Sequence, residues 1–515
     1  MRFKIIGFGF LVLFLFSAFS VSAQRRHRRR APVKKHVPVK APVPPKVVPM
    51  PLLAIKEADL RTDLFALADN HFRGREAGTL DEMKASVWLA DQARAAGLKP
   101  AGDDGTYFQF FNIRRNRLSP NTRIQVGDST FQLWQSALIA QTAPGEANAP
   151  IIYLGKEDWD NLNTVDLQGK AAAIQVDEEG INLQVSLAER RYPSLVMRKY
   201  SAELIKRGAA AIIFIADARA EKSWNQVVPQ LKRGLYDLED GPNAVLTTKL
   251  PIFWVHNLAQ TFLQTPNLQL NAKIEIEQFD YPSVNIVGKI IGNDPILSKE
   301  YVVFSGHQDH DGIRYAYDQD SIYNGADDNA TVAVALLAIA RAFKEQSGKR
   351  SAIFVWHGAE ERGLLGSKWF SAHPTVPKKS LVAVLNADMI GRNAPDSAAL
   401  LGAQSPHRNS QDLVNMALEA NKEGTQFKLD TLWDQPNHVE GWYFRSDHLP
   451  YARAGIPAIF FTTLLHPDYH TPRDEASRID IRKLTQMTLW MYRTGAKVAN
   501  SILRPKLDPN FKLER

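Results

Sequence analysis

No cysteine occurs in the 515 residues, which excludes disulfides, thiolate metal sites and cysteine nucleophiles. Any metal must therefore be bound by His, Asp and Glu. Long apolar runs are nearly as scarce: beyond the first 21 residues no stretch is long enough to span a bilayer. Acidic residues are missing from positions 24–52, a stretch with nine Lys and Arg and seven prolines. Proline at this density favours extended geometry with nothing to bury, so the stretch reads as a spacer.

That spacer explains the charge of the whole. The formal net charge is +8, and eleven of the positive residues lie in the first 52, leaving about −3 on the remaining 463. The sequence pI near 9.3 is thus a property of the tail. Attraction of the tail to an anionic envelope surface is expected, whereas nucleic-acid binding by the folded body is not implied.

Arg2 and Lys4 precede an apolar run from Ile5 to Val21 that ends in Val21-Ser22-Ala23. This is the pattern of a signal peptide cut after Ala23, with export to the periplasm or medium and no transmembrane helix left after cleavage. The alternative is an uncleaved anchor, favoured by the arginines at 25, 26, 28, 29 and 30, since positive charge there resists translocation.

The body, with 44% hydrophobic and 23% charged residues in the chain, is too long for one ordinary core. Helical periodicity fills 54–100, with an amphipathic run from Leu80 to Gly97. Short apolar strands at 151–154, 171–176, 211–215 and 251–255, with a helix over 202–207, indicate a separate non-catalytic module over 121–280. From 283 onward buried strands alternate with helices, which predicts an α/β domain around a mainly parallel sheet. The expected order is signal peptide 1–23, basic linker 24–52, N-terminal segment of the α/β domain 53–120, inserted module 121–280, main segment of the α/β domain 281–500 and tail 501–515.

Four strands of the second half run into chemistry-bearing residues: His307-Gln308-Asp309, Glu360-Glu361, Asp388, and His470 a few residues past the last strand. Asn324 to Asn329 also precedes an apolar helix and contains Asp327 and Asp328. Taken singly each is weak, and Asp328 before a helix has an obvious use as an N-cap. Together at strand ends, where open α/β sheets gather ligands, they form an N/O site suited to Zn²⁺.

These segments resemble peptidase family M28, the co-catalytic zinc aminopeptidases. The resemblance rests on His307-Gln308-Asp309-His310, Asn324 to Ala330, Glu360 to Ser367, Asn386 to Gly391, Ser446-Asp447-His448 and Tyr469-His470-Thr471-Pro472. The 121–280 module is similar to a protease-associated domain at Asp166 to Lys170 and Lys206 to Ala210. The resemblance implies two zinc ions bridged by Asp328, one completed by His307 and Asp388, the other by Glu361 and His470. It further implies Glu360 as general base and acid, Asp309 as the residue orienting His307, and peptides as substrates. His310, His448 and His466 are expected in the pocket wall or behind it; His256, His373 and His407 read as ordinary surface or core residues. Asp447 and Tyr469 are expected to shape the pocket, as are Trp433, His438, Trp442 and Tyr443, unless they pack in the core. Gln308 stands where the family has tyrosine, and Ala330-Thr331 where it has a small Ser-Gly pair, changes expected to bear on pocket shape. The same metal pair would also serve a carboxypeptidase or amidohydrolase. An envelope-associated binding protein whose tail carries the function is the alternative outside hydrolysis.

Overall fold

The computed structural model describes residues 49–156, 165–176, 184–241 and 249–514. The expected signal peptide and residues 24–48 of the basic tail lie outside this set. Residues 50–52 of that stretch are already part of the fold, because Met50–Leu53 forms a helical turn that buries Pro51. Among the described residues no helix is long and apolar enough to cross a membrane.

Apolar runs such as Val302-Val303-Phe304 and Ile353 to Trp356 are wholly buried, which requires both faces of their sheet to be covered. The strands are β1 (Phe108–Leu118), β2 (Leu235–Leu238), β3 (Ile276–Ile290), β4 (Tyr301–His307) and β5 (Ser351–His357). They continue with β6 (Leu381–Ala387), β7 (Ser397–Leu401), β8 (Lys428–Asp430) and β9 (Ala458–Thr462). Their spatial order is β8-β7-β9-β6-β4-β5-β3-β1-β2, with Lys99–Pro100 pairing on β3 to make ten strands. The four central strands, β9-β6-β4-β5, run parallel. The flanks turn antiparallel where β3 meets β5 and where β7 meets β9.

Helix α1 (Leu80–Ala95) starts on Thr79, whose hydroxyl accepts from the amides of Asp81 and Glu82. Helices α2 (Ala188–Lys206) and α3 (Ala218–Arg233) belong with a second sheet. Helix α4 (Thr331–Glu345) is buried on every face over its first ten residues, while α5 (Gln411–Glu423) and α6 (Ile481–Asn500) cover the large sheet amphipathically. Helix α2 is far longer than its 202–207 segment alone suggests. Its buried stripe of Tyr192, Val196, Tyr200 and Leu204 extends the apolar face three turns towards the N-terminus.

The second sheet has eight strands drawn from residues 123–274, with Gly145–Lys156, Ala171–Gln175, Ala211–Ile215 and Ile252–Val255 at its parallel centre. One face packs Ile174, Ile212, Phe214 and Trp254 against α2 and α3. β2 lies within the same chain span yet pairs with β1 in the large sheet. α3 therefore ends beside the large sheet, which matters below.

The last residues are held by polar contacts. Asp508 accepts from Arg408 and from the amide of Gln411. His407 lies between Asp434 at 2.9 Å and Glu514 at 2.7 Å. Burial opposes its charge, but these two carboxylates raise its pKa above the ordinary histidine value. The contact is therefore complete below an unfolded histidine pKa of about 6.5 and is lost as pH rises through the folded value. Hydrogen exchange of residues 508–514, corrected for intrinsic rates, should accelerate as pH rises from about 6.5 through the raised folded value of His407. The effect should amount to about 1 kcal/mol, and Glu514→Gln should abolish the pH dependence. Protection that stays constant over that range in the wild type would refute the contact.

Candidate metal centre

The parallel strands aim their carboxyl ends at one crevice, and the chain places its donors there. His307 is the last residue of β4, Asp388 follows β6, Glu360 and Glu361 lie in a turn three residues past β5, and His470 follows β9. His307 Nε2 lies 3.3 Å from Asp328 Oδ1, 3.5 Å from Asp388 Oδ2 and 3.8 Å from Glu360 Oε2. His470 Nε2 lies 3.1 Å from Asp328 Oδ2 and 3.0 Å from Glu361 Oε1. Two donor sets result, His307/Glu360/Asp388 and His310/Asp328/Glu361/His470. Asp328 stands between them with one oxygen towards each.

Asp328 does not cap α4, whose N-terminus has no side-chain cap. His310, assigned from the sequence to the pocket wall or behind it, joins the second set, with Nδ1 2.8 Å from Glu361 Oε1. It escapes notice in the sequence because only the fold of the 308–312 turn brings it beside Glu361.

Asp309 contacts His307 mainly through its main chain. His307 Nδ1 bonds the main-chain carbonyl of Asp309 at 3.0 Å, while the Asp309 carboxylate lies 3.8 Å away. That carboxylate accepts the amides of Glu360 at 3.0 Å and Glu361 at 3.3 Å. It thus fixes the turn that carries both glutamates.

The same device recurs. Asp474 accepts the amides of Asp327 and Asp328, and Asp327 accepts the amide of Gly391 at 2.7 Å. Ser446 donates to Asp388 at 3.0 Å and itself receives a bond from Asn386. Beneath the site Arg75, fully buried, donates to the carbonyls of Gln308, Leu67, Asn324 and Gly325 at 2.7–3.1 Å. It clamps the loop after β4 to the loop bearing Asp328. Sequence reading missed Arg75 and Asp474, since an isolated Arg or Asp in a loop looks solvated.

The other expected residues separate cleanly. Gln308 is buried and donates to Glu82 at 3.3 Å, so it belongs to the floor of the site. Thr331 donates to the Asp327 carbonyl at 2.8 Å, which makes it a brace of the Asp328 turn. His448 is packed between the rings of Tyr443 and Phe460, where burial lowers its pKa to about 3. His466 Nε2 faces Asp327 at 3.4 Å. His256 bridges Glu221 and the Gln135 carbonyl, and His373 stacks on Trp369, both remote from the donor sets. Asp447 is fully buried, and burial pushes its carboxyl up to about 7. Trp442 lines the cleft, Tyr443 is buried in the core, and Trp433 stacks near His438.

The electrostatics call for cationic charge. Burial pushes the Glu360 carboxyl well above the usual range; the histidinium of His307 opposes this while Asp388, Asp447 and Glu361 add to it. Burial acts likewise on Glu361, but His470 and His310 pull it well below. Burial also lifts Asp388, to about 6. So many buried carboxylates are tolerable only with positive charge among them. Asp388 Oδ1 is buried without a hydrogen-bond partner among the described residues. Donors on a tetrahedral Zn²⁺ with bonds of about 2.0–2.1 Å stand about 3.3 Å apart, the spacing of these pairs. The donor set fits zinc in type and separation.

A cleft of about 260 Å³ opens on the donors, walled by Leu364, Met389, Trp442, Phe444, Arg445 and Tyr469.

Residues 285–494 match the model of Peptidase family M28. The chain is 28% identical over 187 residues to aminopeptidase YwaD of Bacillus subtilis, covering 35% of this chain and 39% of that one. It is 27% identical over 245 residues to a probable leucine aminopeptidase of Trichophyton verrucosum, covering 45% and 62%. The matches thus span less than two thirds of the length of these curated relatives. The fold is similar to that of BSAP, a zinc aminopeptidase from Bacillus subtilis, with TM-score 0.55, 18% identity, and 89% and 99% of the chains covered. It is also similar to an aminopeptidase from Aneurinibacillus sp. strain AM-1, with TM-score 0.54, 17% identity, and 89% and 96% covered. The match to Peptidase family M28 thus spans residues 285–494, the stretch that carries both donor sets.

Proposed function

We propose that this protein is an exported two-zinc aminopeptidase that removes residues from the free N-termini of peptides. The observation that carries the reading is the shared carboxylate, Asp328, with one oxygen 3.3 Å from His307 and the other 3.1 Å from His470. A carboxylate presented to two histidines in this way suits a bridged metal pair. His307, Asp328 and Asp388 would hold one zinc, and Asp328, Glu361 and His470 the other, with His310 beside the second set. Bound zinc supplies Lewis acidity towards the scissile carbonyl and lowers the pKa of a coordinated water.

The chain's own residues do the rest. Glu360, next to the ligand Glu361 but directed to the His307 set, takes the proton of the attacking water at Oε2 and returns it to the leaving nitrogen. Asp309 holds the Glu360 main chain so that this carboxylate keeps its place. Leu364, Met389, Trp442 and Phe444 exclude water from the cleft and offer an apolar wall to the substrate. The aminopeptidase names of the relatives favour the N-terminal specificity over a carboxypeptidase or amidohydrolase on the same donors.

The second sheet and its helices we read as a protease-associated-type insertion, the first 23 residues as an export signal and the basic tail as an envelope contact. Mass spectrometry of one peptide library, free and N-acetylated, with zinc-loaded protein tests the activity. Stepwise N-terminal loss from the free peptides alone is the expected result. Cleavage of the acetylated peptides, or release from the C-terminus, would transfer the assignment to an amidohydrolase or carboxypeptidase.

A further inference from the structure

Beside the metal cleft lies a second cavity of about 310 Å³, sharing Glu361, Arg445, Tyr469 and His470 with it. Six arginines line it: Arg190, Arg191, Arg233, Arg314, Arg362 and Arg445. Half come from α2 and α3, the helices packed on the second sheet, and half from the stretch that matches family M28. Three carboxylates face them. Glu440 takes Arg191 at 3.3 Å and Arg445 at 2.7 Å, and Glu76 takes Arg233 at 3.1 Å and Arg362 at 3.5 Å. Asp311 pairs with Arg314 and is also reached by Arg233 and Arg362. With Glu361, which also lines the cavity, six guanidiniums face four carboxylates, an excess of two positive charges. Arg190 is bonded to neutral groups, the His470 carbonyl at 3.1 Å and Gln230 at 3.2 Å.

This is an unusual concentration for a site so enclosed. Arg314, whose side chain is 8% exposed, keeps Nε and Nη1 buried with no hydrogen-bond partner among the described residues, and Arg362 keeps Nε so. Buried donors without acceptors are unfavourable, and so is unbalanced buried charge. Burial, and then the guanidiniums of Arg233, Arg190 and Arg362, depress the Arg314 pKa well below its ordinary value. An anion entering the cavity relieves both conditions at once, and the planar fork of arginine is matched to a carboxylate.

We propose that this cavity receives a carboxylate of the substrate, so that the enzyme prefers peptides with an acidic group within a few residues of the scissile bond. The inference rests on the aminopeptidase reading and names a substrate class for it. The carboxylate has two possible sources, an acidic side chain or the free C-terminus of a short peptide. The shared lining places it next to the Glu361 and His470 end of the metal cleft. It also gives the second module a role, since α2 and α3 supply half of the cationic wall.

The test compares kcat/KM for Glu-Ala-Ala with Gln-Ala-Ala, Ala-Glu-Ala with Ala-Gln-Ala, and Ala-Ala-Ala with its C-terminal amide. The expected result is a preference of at least about ten-fold for the carboxylate in one comparison, because a site with unpaired donors rejects the neutral analogue. A side-chain carboxylate is identified by the first two comparisons, a terminal one by the third. Arg314→Met should bring the preferred ratio to near one. Arg190→Gln, which breaks no carboxylate pair, should lower it several-fold and guards against misfolding of the first variant. Ratios within two-fold of one in every comparison, or a preference untouched by both variants, would overturn the proposal. Calorimetry of the same peptides with the Glu360→Gln protein separates this from failure of the activity reading. Tighter binding of the carboxylate form that Arg190→Gln removes supports the cavity even if no peptide is cut, and equal binding of both forms refutes it.

Discussion

Replacing Glu360 by Gln lowers kcat by about three orders of magnitude or more while leaving metal content at the wild-type level. The expectation follows from the geometry of two adjacent glutamates. Glu361 Oε1 sits 3.0 Å from His470 and 2.8 Å from His310, within the second donor set. Glu360 Oε2 is 3.8 Å from His307 Nε2, near enough to meet a water there and less engaged as a donor. The amide of glutamine keeps the shape but holds no exchangeable carboxyl proton, so the relay to the leaving nitrogen is lost. Glu361→Gln should behave differently, lowering zinc content first and turnover with it. Atomic-emission metal analysis and steady-state kinetics on the two variants decide the matter. Near-normal turnover of Glu360→Gln, or loss of zinc from it with Glu361→Gln fully loaded, would reverse the assignment.

Arg75→Met destabilises the protein by about 3–5 kcal/mol, an effect on the scale of removing one partner from a buried charged network. The guanidinium is fully buried and donates to four main-chain carbonyls. Methionine fills similar volume but leaves those carbonyls without a donor, and each such orphan is unfavourable by about 1–3 kcal/mol before relaxation. Three of the carbonyls, those of Gln308, Asn324 and Gly325, belong to the loops that carry His307 and Asp328, so zinc affinity should fall in parallel. Arg75→Lys retains a charge and three donors and should recover part of the loss. Burial lowers the Arg75 pKa to about 10, against the pull of Asp309, Asp474 and Asp328. The cation therefore persists at neutral pH, and the clamp should not titrate there. Denaturant melts of zinc-loaded and zinc-stripped protein give both quantities, and a loss below 1 kcal/mol in both states would dismiss the clamp.

The donors themselves were readable because they are local to strand ends. His307, Asp388 and the Glu360-Glu361 pair each follow an apolar run by a few residues, and a parallel sheet carries all such ends to one side. Their residue types suffice to suggest zinc. His310 was assigned to the wall because sequence spacing does not show which way a turn residue faces. In the structure it stands 2.8 Å from Glu361. Asp309 was read as orienting His307; its main-chain carbonyl bonds His307 Nδ1, and its carboxylate also binds the amides of the glutamate turn, which the sequence did not show. The length of α2 was underestimated because a short apolar run was read without the stripe that precedes it.

By itself the sequence determined what kind of chemistry is available: no thiols, a His and carboxylate donor set, one candidate proton carrier and a basic tail separate in charge from the body. Hydrophobic period and residue type act over a few positions, so they survive in a linear reading. Tertiary structure alone decided the rest. Arg75 meets Gln308 and Gly325 across more than 230 residues, Asp474 meets Asp328 across 146, and Arg190 meets His470 across 280. Such pairings leave no periodicity to read, since an arginine that will be buried looks the same in sequence as one in water. The arginine cavity exists because folding sets the end of α3 and the face of α2 against the turn after β5, where enclosure from solvent strengthens their common charge.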